Sequence, residues 1–239
     1  MPSLSSLAFA LALAGAGYLN AICVTPPNPP PSQSRAYKGD RIHFLTGRVT
    51  RSVGYISLVL YLFHALLAVS WPSAAHDDDA ASLQRICPHA SNLHSDFYTW
   101  NSFTTTTLAL TYLGAAIRLS AYGGLGKNFT FQLAPPDRLV TSGIYHFIQH
   151  PSYTGQFLIS IAMNLLVLRW DSSPACFIPE SFLAALTGWG WVVLIAPMAF
   201  ASSALATRVK DEEGMLKEKF GQEWVRWHER TARFIPYVI

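Results

Sequence analysis

Charged side chains are scarce in this sequence: 13% of its 239 residues are Asp, Glu, Lys or Arg, against 51% that are hydrophobic. That balance points to an integral membrane protein rather than one or two soluble domains. A net charge of +3 is too small for a nucleic-acid binder, and no stretch interleaves basic with aromatic residues. Cysteine is scarce too. Cys23, Cys87 and Cys176 stand far apart with no CxxC spacing and no histidine cluster, so the spacing supports neither a zinc site nor a disulfide framework, and all three are read as unpaired thiols. No G-x-G-x-x-G follows a strand pattern; Gly123, Gly124 and Gly126 only loosen the backbone. No Lys or Arg precedes the first apolar run, Leu4 to about Val24. A cleaved signal peptide normally starts with a positive segment, so a retained transmembrane helix is expected here, with a signal peptide as the alternative.

What the chain does have is long apolar runs. After the first, Pro26 to Pro31 forms an extended spacer. Ser52 to Trp71, Trp100 to about Ala121, Thr154 to Trp170 and Phe182 to about Ala206 then provide four more spans, the last interrupted by Gly188, Gly190 and Pro197. The expected fold is all-α: a bundle of about five transmembrane helices with a cytoplasmic C-terminal amphipathic helix and a polar loop. It divides into an N-terminal three-span region, 1–121, and a second region, 122–239. Arg35, Lys38, Arg41, Arg48 and Arg51 accompany a single acid, Asp40, and the tail from Arg208 carries seven of the seventeen basic residues. Five crossings place both on the cytoplasmic face, together with the loop from Gly123 to Tyr153. His76 to Asp79 open a loop whose acidic balance suits the opposite face; these carboxylates are read as solvated rather than metal-binding. His64, inside the second span, is read as a neutral histidine packed between helices. The hydroxyls of Thr104 to Thr107 are expected to bond back to helix carbonyls.

Chemistry concentrates in two polar stretches. Asp137 to Tyr153, DRLVTSGIYHFIQHPSY, puts two histidines, two tyrosines and a His-Pro step in a turn-rich loop between apolar runs. Arg208 to Trp227 reads as an amphipathic helix continuing from the fifth span and bent near Gly221, with Arg208 and Glu212 on one face. The pair is either a surface ion pair of little energetic value or part of a site in which the acid meets a ribose or ammonium and the guanidinium holds a carboxylate. Arg118, near the end of the third span, is either a snorkelling side chain or an anion clamp.

LVTSGIY (Leu139 to Tyr145), HPSYTG (His150 to Gly155), and RxxxEE followed by FGxEWxxW (Arg208 to Trp227) and Ile235-Pro236 resemble the isoprenylcysteine carboxyl methyltransferase family. The likeness covers about the last 120 residues; the first hundred are similar only in hydropathy. It implies S-adenosyl-L-methionine-dependent methylation of the carboxylate of a C-terminal prenylated cysteine, the CaaX-processing step on small GTPases or similar proteins. It also implies an endoplasmic reticulum membrane location with the site facing the cytoplasm, and neither nucleic acid nor metal as partner. Carried over by motif, Gln132, Asp137, Arg138, Leu139, Val140, Tyr145, His150, Pro151, Ser152, Tyr153 and Glu212 match cofactor-binding positions. Arg208 matches the substrate-binding arginine and Arg118 a further arginine near the reacting carboxylate. The family usually has Arg before His-Pro; here it is Gln149. The rival functions are a phospholipid or other lipid or amine methyltransferase of the same architecture, and a non-catalytic membrane scaffold. A prenylcysteine carboxylate is already ionised at neutral pH, so no general base is needed and His150 is assigned a shaping role. Pro197 marks one opening for a prenyl chain.

Overall fold

The computed structural model describes residues 2–71, 83–186 and 188–236; the acidic stretch His76 to Asp79 lies outside them. The chain is helical, with α1 Leu4–Val24, α2 Arg48–Ser70, α3 Ser102–Leu125, α4 Pro151–Leu166, α5 Glu180–Leu186, α6 Gly190–Phe220 and α7 Gln222–His228. Among the described residues the extended pairing is an isolated parallel bridge between Ile148 and Ala232.

The protein is a multi-pass membrane protein by its apolar helices. Among the described residues, three helical segments are long and apolar enough to cross a bilayer: Leu4–Val24, His43–Ser70 and Gly190–Phe220. The expected third and fourth spans correspond to α3 and α4. Threonines and Arg118 lower the hydropathy of α3, and α4 has 16 residues. The expected fifth span is not continuous: α5 ends at Leu186 and α6 starts at Gly190. Gly188 sits between them at φ 91°, a left-handed conformation that breaks the helix at little cost only for glycine. α6 then runs 31 residues with Pro197 inside it, as far as the expected bend at Gly221.

Contacts divide the chain into two interleaved units. The first comprises Met1–Asn20, Tyr55–Tyr112 and Ile159–Ala199. Phe9, Leu13 and Ala16, spaced along one face of α1, are buried with Tyr61, Ala65 and Ala68 of α2 and Leu166 of α4. α3 starts on a reciprocal cap: Asn101 Oδ1 accepts the Thr104 N–H and Thr104 Oγ1 accepts the Asn101 N–H, both at 3.0 Å. As expected, threonine hydroxyls bond back along α3, Thr107 to Thr104 O at 2.9 Å and Thr111 to Thr107 O at 3.1 Å. His64 is fully buried, its Nδ1 2.7 Å from Ser173 Oγ and its Nε2 2.9 Å from Phe97 O, which bears out the packed histidine.

The reading of three unpaired thiols is corrected here. Cys87 and Cys176 form a disulfide with Cα atoms 4.8 Å apart, and Cys23 alone is free. The partners are 89 positions apart, so nothing local in the sequence announces the pair. Packing brings them together: the His89 N–H donates to Cys176 O at 3.2 Å, and the Asn92 carboxamide donates to Ala175 O and Ile178 O.

The second unit comprises Ala21–Gly54, Leu113–Leu158 and Phe200–Ile239. Its aromatic core joins Tyr145, Trp224 and Trp227 to Ala121, flanked by Leu139, Val140 and Leu216. Where α3 meets α4, Gly155 lies directly on the α3 backbone. A Cβ at that position would stand 2.5 Å from Gly114 O and 2.8 Å from the Arg118 nitrogen.

The disulfide generates a thiol count. Denatured without reductant, the protein should take one maleimide tag, at Cys23, and three after reduction; three tags before reduction would contradict the pairing. Closing a loop of this length is worth up to about 4 kcal/mol, so Cys87→Ser should lower the melting temperature in detergent.

Candidate functional site

The site is built in the second unit by three segments that close on one another. The first is the loop from Phe129 to His150. Its end is paired with the C-terminal tail: the Gln149 N–H donates to Ala232 O at 2.8 Å and the His150 N–H to Arg233 O at 2.9 Å. His150 then leads into α4, whose first residue is Pro151. Proline suits this position because its missing N–H would have no partner in the first turn, and His150 O accepts the Tyr153 and Thr154 N–H groups. The second segment is α6 from Arg208 onward. The third is the tail, fixed by Trp227 Nε1 to Tyr145 O at 3.2 Å and Thr154 Oγ1 to Phe234 O at 2.8 Å.

Between them lies a cleft holding about 770 Å³ of space, part of it open to solvent. Nine residues singled out from the sequence line it: Arg138, Leu139, Val140, Tyr145, His150, Pro151, Ser152, Tyr153 and Glu212. Leu125, Leu133, Leu216 and Trp227 complete an apolar wall. Tyr153 donates its hydroxyl to Glu212 Oε2 at 2.7 Å, joining the His-Pro-Ser-Tyr run to α6. Burial, together with the Glu212 carboxylate, raises the Tyr145 hydroxyl well above the ordinary phenol value and keeps it neutral. His150 is buried with Nε2 3.3 Å from Glu213 Oε1, and Glu213 also accepts from Arg233.

The other singled-out residues lie off the cleft lining. Asp137 is on the surface, paired with Arg35 at 3.1 Å and Lys127 at 3.5 Å, and Gln132 is half-buried, its backbone carbonyl accepting from the Thr130 hydroxyl. Arg118 is buried: its Nε donates to Cys23 O at 2.6 Å, and its Nη1 to Ser152 O and Oγ, each at 2.8 Å. Arg208 does not pair with Glu212. Its Nη1 stands 2.6 Å from Asp40 Oδ1 and its Nη2 donates to Phe131 O. Tyr153, within electrostatic reach of Arg208, links it to the cleft.

Asp40 is thus a site residue that sequence reading passed over, although it is the single acid in a basic stretch. Arg41 follows the same course, with Nε 2.9 Å and Nη2 2.7 Å from Asp211 Oδ1. Gln149 also has a defined place. Its carboxamide nitrogen donates to His228 O at 3.0 Å and to Thr231 O, and its Oε1 is 2.8 Å from His228 Nδ1. Where the family motif has an arginine, this neutral group clasps the tail with each of its polar atoms engaged. Burial lowers His228 below the usual histidine value; the neutral ring still donates to Gln149 through Nδ1–H.

The model of the isoprenylcysteine carboxyl methyltransferase (ICMT) family matches residues 107–187, a range that includes most of α3, the loop and α4. Over that stretch the chain is similar to the family. It is 25% identical over 213 residues to the protein-S-isoprenylcysteine O-methyltransferase of Dictyostelium discoideum, covering 81% of each chain. To the Homo sapiens protein of the same name it is 28% identical over 144 residues, covering 59% of this chain and 43% of that one. To protein-S-isoprenylcysteine O-methyltransferase B of Arabidopsis thaliana it is 26% identical, covering 55% of this chain and 58% of that one. The chain therefore spans less than two thirds of the human and Arabidopsis relatives. A solved structure of the eukaryotic intramembrane Ras methyltransferase ICMT aligns with a TM-score of 0.42 at 22% identity, covering 84% of this chain and 71% of that one.

The Gln149 clasp is testable apart from any activity. Gln149→Leu leaves buried carbonyls without donors, at about 1–3 kcal/mol. Limited proteolysis should then cut between 224 and 236 faster than in the parent, with a lower melting temperature; an unchanged cleavage rate would count against the clasp.

Proposed function

We propose that the chain transfers the methyl group of S-adenosyl-L-methionine to the carboxylate of a C-terminal prenylated cysteine. The observation carrying this reading is the Tyr153–Glu212 hydrogen bond inside an apolar cleft, flanked by a buried guanidinium at Arg208. The donor set fits the cofactor. Leu139, Val140, Tyr145 and Trp227 give an apolar wall suited to a purine, Glu212 an acceptor suited to ribose hydroxyls or an ammonium, and Arg138 a cation at the cleft wall suited to a carboxylate. Bound there, the cofactor supplies an electrophilic methyl group.

The reaction breaks the carbon–sulfur bond with its electron pair going to sulfur and forms a carbon–oxygen bond to the acceptor, giving a thioether and a methyl ester without proton transfer. Both reactants lose charge on the way to the transition state, so a site that excludes water and aligns them favours it over the solvated reactants. Tyr153 and Glu212 bind and orient on the cofactor side. Arg208 orients the acceptor carboxylate. His150, engaged with Glu213, shapes the cleft and moves no proton.

The disulfide supports the membrane arrangement. The segments carrying Cys87 and Cys176 must share one compartment, as the expected crossings require, and a disulfide suits the oxidising lumen of the endoplasmic reticulum. The basic segment Arg35 to Arg51 and the tail belong to the cytoplasmic face by charge, so the site faces the cytoplasm.

The deciding assay incubates purified protein with methyl-labelled S-adenosyl-L-methionine and N-acetyl-farnesylcysteine. A base-labile product is expected; a base-stable label would indicate an amine or lipid acceptor, and no label a scaffold. Arg208→Ala should abolish turnover or raise the acceptor KM while leaving S-adenosylhomocysteine binding nearly intact by calorimetry. Glu212→Gln should weaken S-adenosylhomocysteine binding about tenfold, the scale of one charge-assisted hydrogen bond; unchanged affinity would remove Glu212 from the cofactor side.

A further inference from the structure

Asp40 is among the most enclosed charges of the second unit, with its side chain 1% exposed. Each of its polar groups is engaged. Oδ1 stands 2.6 Å from Arg208 Nη1, Oδ2 accepts the Leu133 N–H at 2.9 Å, its carbonyl lies 2.9 Å from His43 Nδ1, and its N–H donates to Tyr37 O at 3.2 Å. Leu133 is itself a wall of the cleft, so one carboxylate ties the guanidinium to the cleft wall. The next residue repeats the device with opposite sign: Arg41 grips Asp211, three positions beyond Arg208 on α6. The opposite charges of residues 40 and 41 therefore meet the opposite charges of 208 and 211.

We infer that Asp40 is a positioning residue that fixes the Arg208 fork and tempers its charge, so that the acceptor carboxylate is aligned without being held as a tight ion pair. The inference rests on the methyl-transfer reading. A lone guanidinium in a water-poor site attracts a carboxylate strongly. That attraction stabilises the reactant more than the transition state, in which the acceptor's charge is already being lost, and so works against turnover. Asp40 cancels most of that excess beforehand. Of the five guanidinium N–H groups, Nη2 gives one to Phe131 O while Nη1 faces Asp40 as an ion pair, and those remaining can direct an incoming carboxylate by hydrogen bonding.

The test uses the full chain in detergent with S-adenosyl-L-methionine and N-acetyl-farnesylcysteine. Absence of ester from the wild-type protein would overturn the methyl-transfer reading and this inference with it; the Asp40 variants bear on the inference alone. Asp40→Asn should lower kcat about tenfold or more, the scale on which misplaced electrostatic groups act. The acceptor KM should stay the same or fall, and S-adenosylhomocysteine affinity should stay within about twofold of wild type, since cofactor-side groups are untouched. Asp40→Glu, which keeps the charge one methylene away, should lie between the two, about threefold below wild type. Unchanged kcat in Asp40→Asn, parallel loss of cofactor affinity and acceptor KM, or equal kcat in both variants would overturn the inference. If Asp40→Asn does not fold, Asp40→Glu decides by itself: lower kcat at constant KM supports positioning, and wild-type kcat overturns it.

Discussion

The second unit depends on how a buried arginine satisfies backbone that would otherwise be stranded at a membrane boundary. The last carbonyls of a helix have no partner within it, and hydrocarbon offers none. Arg118 answers this for α1 by donating Nε to Cys23 O, with the Tyr122 hydroxyl donating to the same oxygen, while Nη1 reaches Ser152 at the start of α4. Its planar fork is suited to such divided duty, and its charge sits over the Tyr122 and Phe131 rings, 5.2 and 5.4 Å from their centroids. The consequence reaches the cleft on both sides: Ser152 belongs to the His-Pro-Ser-Tyr run, and α1 ends where the chain turns toward Asp40.

Charge around α6 is held in matched sets whose carboxylates are buried or half-buried, while Arg41 and Arg233 reach in from the surface. Asp40 with Arg208, Arg41 with Asp211, and Glu213 with Arg233 and His150 each place a carboxylate against a nitrogen base. Burying such pairs is not in itself a source of stability, because desolvation opposes the attraction. What they supply is registry: each fixes a loop or tail against a defined turn of α6. Glu212 is the exception, its hydrogen-bond partner being the neutral hydroxyl of Tyr153, so its charge remains available on the cleft side.

The sequence disclosed what is local. Apolar runs gave the helices, and Arg138, Leu139, Val140, Tyr145, His150 to Tyr153 and Glu212, singled out by motif, gather around one cleft. What it withheld is pairing over distance. The disulfide joins residues 89 apart, Arg41 meets Asp211 across 170 positions, and Gln149 meets His228 across 79. No periodicity encodes such separations. The same reason explains Arg208 and Glu212, correctly placed on one turn of α6 but turned to different partners, because helical spacing fixes proximity along a face and leaves the choice of contact to neighbouring segments. Gln149 looked like a lost charge in the motif; in its surroundings it is a neutral clasp whose partners only the folded tail provides.

Gly155 carries a consequence of a different kind. With the α3 backbone this close, the separation between the helix bearing Arg118 and the helix opened by His150-Pro151 is set by main chain against main chain. Side chains elsewhere in the unit can be exchanged and repacked, but this distance has no adjustable part. The cleft thus hangs from a hard stop rather than a cushion, leaving the contact line of the two helices as the fixed datum from which Tyr153 is measured toward Glu212.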